Sequence, residues 1–174
     1  MENTPENRRI ENLLKYEILD TPADGCYDEI TSLATKIFDV PIAIITLVDT
    51  DRIWFKSSYG LDVEQIPRSP GLCSSAIMSD DIYIVENARV DPRTLENPLV
   101  TSIMGLQFYV AAPLRSLDGY NLGTLCIIDK KPRSITAKES SMLRQLSRIV
   151  MDHFEVKLES RLMIKDIQKN LSQI

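Results

Sequence analysis

Histidine occurs once in these 174 residues, at position 153, and cysteine only at positions 26, 73 and 126. One His offers too few ligands for a metal or haem site. The three cysteines are widely separated and form no CxxC pair. Such a sparse, odd set fits a reducing, cytoplasmic setting better than a disulfide framework. No cluster of Lys and Arg stands out, and the net charge of −5 argues against a nucleic-acid surface, because phosphate contacts draw on grouped cations. The longest strongly apolar run, Ile42 to Val48, is far too short to span a bilayer. The start, Met1-Glu-Asn-Thr-Pro-Glu6, lacks the basic and apolar regions of a secretory signal. Neither GxGxxG nor GxxxxGK[ST] occurs, which removes the usual phosphate-cradling loops.

What is present is patterned. Thr4-Pro5 is a hydroxyl cap followed by proline at the first helical position. It predicts a helix carrying Ile10, Leu13, Leu14 and Ile18 that stops before Thr21-Pro22. Tyr27, Ile30, Leu33, Ala34, Ile37 and Phe38 follow at the three-four spacing of one apolar helix face, ended by Pro41. The period then changes. Ile42 to Val48 is β-branched and apolar throughout, as expected of a central strand. After the Asp49-Thr-Asp51 turn, residues 52–59 alternate, with Ile53, Phe55 and Tyr59 on one face and Arg52, Trp54 and Lys56 on the other. So short a turn makes the two strands antiparallel neighbours. Residues 60–106 hold Pro67, Pro70, Pro92 and Pro98 and read as a long irregular insertion, with a short helix near 73–79 and a short strand near 82–85. Insertions of this kind usually carry function. Strands over 106–114 and 122–128 follow, turned by Asp118-Gly119.

Thr136-Ala-Lys-Glu139 is a capping box, and no Pro or Gly occurs from there to Ile174. A helix over that whole stretch would be ~58 Å long at about 1.5 Å per residue. A globule of this size is only roughly 40 Å across. The distal part must therefore leave the domain or fold back. Ile164, Ile167, Leu171 and Ile174 keep a 3-4-3 seam there, and with Leu158 they are the candidates for a helix-paired homodimer. The expected division is a domain over 1–155 and a helical extension over 156–174.

Eight segments together resemble the GAF domain family, in particular a large bacterial subgroup. They are Tyr16-Glu-Ile-Leu-Asp-Thr-Pro22, Val40-Pro-Ile-Ala-Ile-Ile-Thr-Leu-Val-Asp49, Arg52-Ile-Trp-Phe-Lys-Ser-Ser58, Leu72-Cys-Ser-Ser-Ala-Ile77, Asn87-Ala-Arg-Val-Asp-Pro-Arg93, Asn97-Pro-Leu-Val100, Phe108-Tyr-Val-Ala-Ala-Pro-Leu114 and Leu122-Gly-Thr-Leu-Cys-Ile-Ile-Asp129, the last followed by Pro132-Arg133. The resemblance implies an α+β fold: a twisted antiparallel sheet with the first, second and last helices on one face and a loop-rich pocket on the other. It also implies a non-catalytic sensory or regulatory role, with a small-molecule ligand, a homodimer and a downstream histidine kinase, diguanylate cyclase or phosphatase module. A purely structural dimerisation module is the alternative.

The resemblance makes Trp54, Phe55, Cys73, Ser75, Ile77, Arg89, Asp91, Phe108, Tyr109 and Ala111 the pocket candidates. Arg89, Asp91 and Arg93 could meet an anionic or amide-bearing ligand, or could simply order the Pro92 turn. Cys73 reads first as a small buried apolar residue and second as a redox-sensitive thiol. Bilin-binding relatives carry a Cys-His pair, so with His153 far along the exit helix no covalent chromophore is expected, nor any other cofactor or metal. The fold also hosts free methionine-(R)-sulfoxide reductase, whose catalytic cysteine sits in the pocket loop. Asp91 to Pro98 contains none, so the chemistry lacks its nucleophile.

Overall fold

A computed structural model of the chain describes residues 4–101 and 104–172. Its elements run α1 (Pro5–Lys15), α2 (Gly25–Phe38), β1 (Ile42–Val48), β2 (Arg52–Tyr59), β3 (Gln65–Pro67), α3 (Leu72–Ala76), β4 (Tyr83–Val85), α4 (Pro98–Thr101), β5 (Phe108–Arg115), β6 (Asn121–Asp129) and α5 (Ala137–Leu171). The six strands form one sheet in the order β3-β2-β1-β6-β5-β4, antiparallel at every pairing. The α+β expectation holds, with two short elements, β3 and α4, that the sequence pattern did not resolve.

Each long helix starts on a side-chain cap that satisfies a free backbone donor. Thr4 accepts from Asn7 N, Asp24 from Cys26 N, and Thr136 and Glu139 complete the expected capping box. The ends differ from the sequence reading. α1 stops at Lys15 because Glu17 takes a left-handed φ of 48°, so Ile18 is buried from a loop rather than from the helix. α2 stops at Asp39, also left-handed, two residues before Pro41. Leu14, Leu33 and Ile37, expected on the buried faces, are exposed.

Strand alternation divides the interior into two clusters, one on each side of the sheet. On one side Ala43, Ile45, Leu47, Trp54, Phe108, Val110, Ala112 and Leu125 meet α1, α2 and α5. On the other, Ile42, Ile44, Phe55, Tyr109, Ala111, Cys126 and Ile128 meet α3 and the segment around Val100 and Leu106. The β1–β2 register slips between Ile45 and Thr46, leaving Lys56 as an extra residue on β2. This bulge lets neighbours Lys56 and Ser57 both turn to the helix side. Lys56 Nζ bonds Thr21 Oγ1 and Pro22 O, and Ser57 Oγ bonds Thr31 and Asp28. Gly123 lets β1 and β6 approach: a Cβ there would stand 1.8 Å from Thr46 O.

Candidate functional site

On the α3 side the covering elements do not fill the space above the sheet. They leave a cavity of about 410 Å³ whose floor is Ile42, Ile44, Thr46, Phe55, Tyr109, Cys126 and Ile128. Leu61, Ile66, Leu72, Cys73, Leu99, Met104 and Leu106 close it from the sides and above. The walls are almost wholly apolar, and the one charged lining residue, Lys130, is exposed at the rim. The cavity exists because α3 and α4 are 5 and 4 residues long, too short to lay a continuous ridge of side chains across the strands.

The polar atoms inside are few and mutually satisfied. Tyr109 Oη donates to Cys73 Sγ at 3.1 Å, and Thr46 and Thr124 hydroxyls pair across β1 and β6 at 2.9 Å. Burial pushes the Tyr109 phenol well up and so keeps it protonated. A second hollow, about 630 Å³, lies between the α1–α2 loop and β2, lined by Asp20, Asp28, Lys56, Ser57 and Glu64 among others. It is larger but polar and open. Apolar walls favour the first as a ligand site.

Of the pocket candidates, the structure brings Phe55, Cys73 and Tyr109 to the cavity wall, with Ile77 and Ala111 in the same buried cluster. Trp54 and Phe108 lie on the opposite face, packed toward the helices, as their alternation with Phe55 and Tyr109 dictates. Ser75 and Arg89 are exposed. Asp91 bonds Arg93 at 2.6 Å, and the Arg93 guanidinium lies 4.7 Å from the Tyr83 ring and donates to Ile84 O. That trio orders the loop rather than facing the cavity. The wall residues Ile44, Ile128, Leu99 and Met104 were not singled out in the sequence, because aliphatic residues carry no local sign of facing a void.

The exit helix has two regimes. Phe154 and Leu158 are buried in the helix-side cluster, so the domain reaches past residue 155 and Leu158 belongs to the core rather than to an exposed seam. Lys157 pairs with Asp24, and Lys165 with Glu17 at 2.8 Å, tying α5 to the α1–α2 loop. Ile164, Ile167 and Leu171 are exposed; Ile174 lies outside the described residues. They continue a stripe that begins on the domain body. Ile149, His153, Val156, Ser160, Met163 and Ile167 recur at four-three spacing, and all but the half-buried His153 are exposed. Cys26 Sγ lies 3.4 Å from His153 Nε2. Leu33 and Ile37, seven and eleven residues on, share its face of α2.

The sequence model of the GAF domain family matches residues 22–153. The chain belongs to the GAF domain family. It is 40% identical over 135 residues to a cyclic di-GMP phosphodiesterase of Pseudomonas aeruginosa, a match that takes in 77% of the chain and 23% of that protein. The chain thus spans about a quarter of the length of this curated relative. Among solved structures, it is similar to the GAF domain of an Acinetobacter phosphoenolpyruvate-protein phosphotransferase (TM-score 0.63, 19% identity, covering 89% of this chain and 95% of that one). It is also similar to free methionine-R-sulfoxide reductase from Neisseria meningitidis (TM-score 0.65, 18% identity, 92% and 96% coverage). At these identities the structural likenesses show the fold alone. No helix among the described residues is long and apolar enough to cross a membrane.

Proposed function

We propose that this chain is a non-catalytic sensory domain that holds a small, largely apolar molecule in the α3-side cavity and passes the bound state on through α5. The observation that carries the reading is the apolar cavity of about 410 Å³ set directly on the sheet that α5 covers from behind. Apolar walls select an apolar or aromatic body, and Lys130 at the rim tolerates one anionic group. Phe55 and Tyr109 would contact it from the sheet, and Cys73 from α3. Occupancy would reposition α3 and α4 against β1, β5 and β6. A ligand shifts the α5 arrangement only as far as it binds the two arrangements with different affinity.

The exposed stripe from Ile149 to Leu171 supports pairing of two copies through α5, with Leu33 and Ile37 extending the contact onto α2. The output would be a partner or an attached module in a cytoplasmic signalling protein. The phosphodiesterase relative supplies one example of such a module. Native mass spectrometry of freshly purified chain tests the reading, together with titration by a fluorescent naphthalene sulfonate. Retained small molecule, or saturable probe binding lost in Ile44→Phe, supports it. A bare dimer that takes up no probe would reduce the chain to a dimerisation module.

A further inference from the structure

A smaller hollow, about 260 Å³, lies on the helix face between the α1–α2 loop, β2 and α5. Its charged lining is three cations, Lys56, Lys157 and Arg161, against two carboxylates, Glu17 and Asp24. Lys157 pairs with Asp24, and Arg161 with Glu17 at 3.8 Å, while Glu17 is shared with Lys165 at 2.8 Å. Lys56 has no carboxylate ion pair among the described residues. Only 7% exposed, it donates to Thr21 Oγ1 and Pro22 O, both at 2.8 Å and both uncharged. The geometry points to this hollow as a binding site for a small dianion of the phosphate type, free or as the terminal group of a metabolite, held by Lys56 from β2, Tyr27 from α2, and Lys157 and Arg161 from α5. The site lies on the face of the sheet opposite the α3-side cavity, so it goes beyond the sensory reading and stands whether or not that cavity holds a ligand.

Three features support the assignment. First, Lys56 is a buried cation without a paired counter-charge, an arrangement that costs free energy until something anionic completes it. Burial first, and then Lys157, hold its ammonium below the usual lysine range, more than Asp24 and Asp28 restore. Second, Tyr27 lines the hollow, is 1% exposed, and its hydroxyl finds no hydrogen-bond partner among the described residues. Burial pushes the phenol up and so keeps it a donor; an anionic oxygen is the acceptor it lacks. Third, the donors converge. Lys56 Nζ and Lys157 Nζ lie 5.4 and 5.0 Å from the centroid of the Tyr27 ring, although like charges so placed repel. A shared anion between them reverses that repulsion. Arg161 adds the planar fork that suits phosphate, and Glu17, its side chain 54% exposed and shared with Lys165, can yield it to a ligand. Asp24 stays as the cap of α2 on Cys26 N. At about 260 Å³ the hollow falls below the roughly 300 Å³ at which pockets for whole organic ligands begin, which fits a small ion or one terminal group.

The position gives such a site a consequence. Lys157 and Arg161 flank Leu158, the last residue of α5 in the helix-side core, and beyond them Ile164, Ile167 and Leu171 are exposed. The dianion would therefore sit at the root of the free part of α5 and join it to β2 and α2 at one point. Lys56 Nζ also lies 5.8 Å from the ring centroid of Trp54, the one tryptophan in the sequence, so Trp54 emission reports on the site.

The test titrates the full chain with inorganic phosphate in Tris chloride at constant ionic strength, following Trp54 emission and, in parallel, heat by isothermal titration calorimetry. The expected result is saturable binding that potassium chloride does not reproduce. Tyr27→Phe removes a buried hydroxyl that has no partner, so without phosphate it should be as stable as wild type. Its affinity for phosphate should nevertheless fall about tenfold, the worth of one hydrogen bond to a charged group. Lys157→Gln should weaken binding by a similar factor, and Ile44→Phe, which fills the α3-side cavity, should leave it unchanged. Tighter binding of glycerol 3-phosphate than of inorganic phosphate would assign the site to a terminal phosphate, and the reverse order to the free ion; either supports the proposal. No saturable binding, or a response that chloride reproduces, would overturn it. So would unchanged affinity in Tyr27→Phe or in Lys157→Gln, or loss of binding in Ile44→Phe, which would place the anion in the cavity instead.

Discussion

The two faces of the sheet draw on the same strands yet are covered in opposite ways. Ile44 and Ile45 are adjacent on β1, equally aliphatic and both buried. Ile45 belongs to the cluster that the three capped helices cover; Ile44 borders the cavity beneath two helices of a single turn or so. α3 has no side-chain cap at its start, whereas α1, α2 and α5 each have one. Stability is thus concentrated on the helix face, where packing is continuous. Capacity to change is left on the other, where elements are short and a void stands ready. A domain that must hold its shape while admitting a molecule needs this asymmetry.

The comparison breaks most visibly by truncating the two neighbours. Ile45→Ala should cost about 3–5 kcal/mol, since it opens a void in dense surroundings. Ile44→Ala should cost no more than about 2 kcal/mol, because that side chain already forgoes contacts on its cavity side. Urea unfolding followed by circular dichroism measures both. Equal costs would mean that the cavity collapses in solution and that the two faces do not differ. The reverse change sharpens the point. Ile45→Phe should lose about 1–3 kcal/mol through overpacking. Ile44→Phe should be nearly neutral and should abolish binding of the naphthalene sulfonate probe.

Much of this asymmetry was legible in the sequence, but unevenly. Two-residue alternation puts Phe55 and Trp54 on opposite sides, and the structure agrees. It follows that Trp54 and Phe108 could not share a pocket with Phe55 and Tyr109, although all four are aromatic. The long helices were legible because caps and three-four spacing are local signals. β3 and α4 were not, since segments of 3 and 4 residues are too short to display a period. Left-handed Glu17 and Asp39 set helix ends that proline positions only approximated. The cavity itself was invisible: a void is defined by what surrounding elements fail to reach.

A smaller effect concerns how the two faces are fastened together. Glu6 on α1 receives Arg9 from its own helix and Arg68 from the stretch between β3 and α3. Hydrogen bonding from Arg9 leads the causes that hold its carboxyl at about 2, against an ordinary 4.5. A depressed folded-state value stabilises the fold above pH 4.5, and that contribution is lost as pH falls from 4.5 toward about 2. Glu6 is 42% exposed, so screening limits it to about 1 kcal/mol. Wild type should therefore exceed Glu6→Gln by that amount at neutral pH, and the two melting curves should converge in acid. A constant gap down to pH 2 would show that the carboxylate charge is not what joins α1 to this segment.

The smallest effect on stability should come from the part of α5 that neither face holds. Ile167 is 52% exposed and Leu158 is 5% exposed, although both are apolar residues of the same helix. Ile167→Glu should leave unfolding within about 0.5 kcal/mol of wild type, because no buried group is removed. Leu158→Glu should destabilise strongly, since it places a charge in the helix-side core. Sedimentation velocity adds the second readout. If two copies pair through the stripe from Ile149 onward, Ile167→Glu shifts the chain toward monomer while it remains folded. If Ile167→Glu remains fully dimeric, the seam lies elsewhere, and the exposed pair Leu33 and Ile37 on α2 becomes the place to substitute next. The two variants thus separate what α5 does for the fold from what it does for assembly, a distinction that apolar spacing alone could not draw.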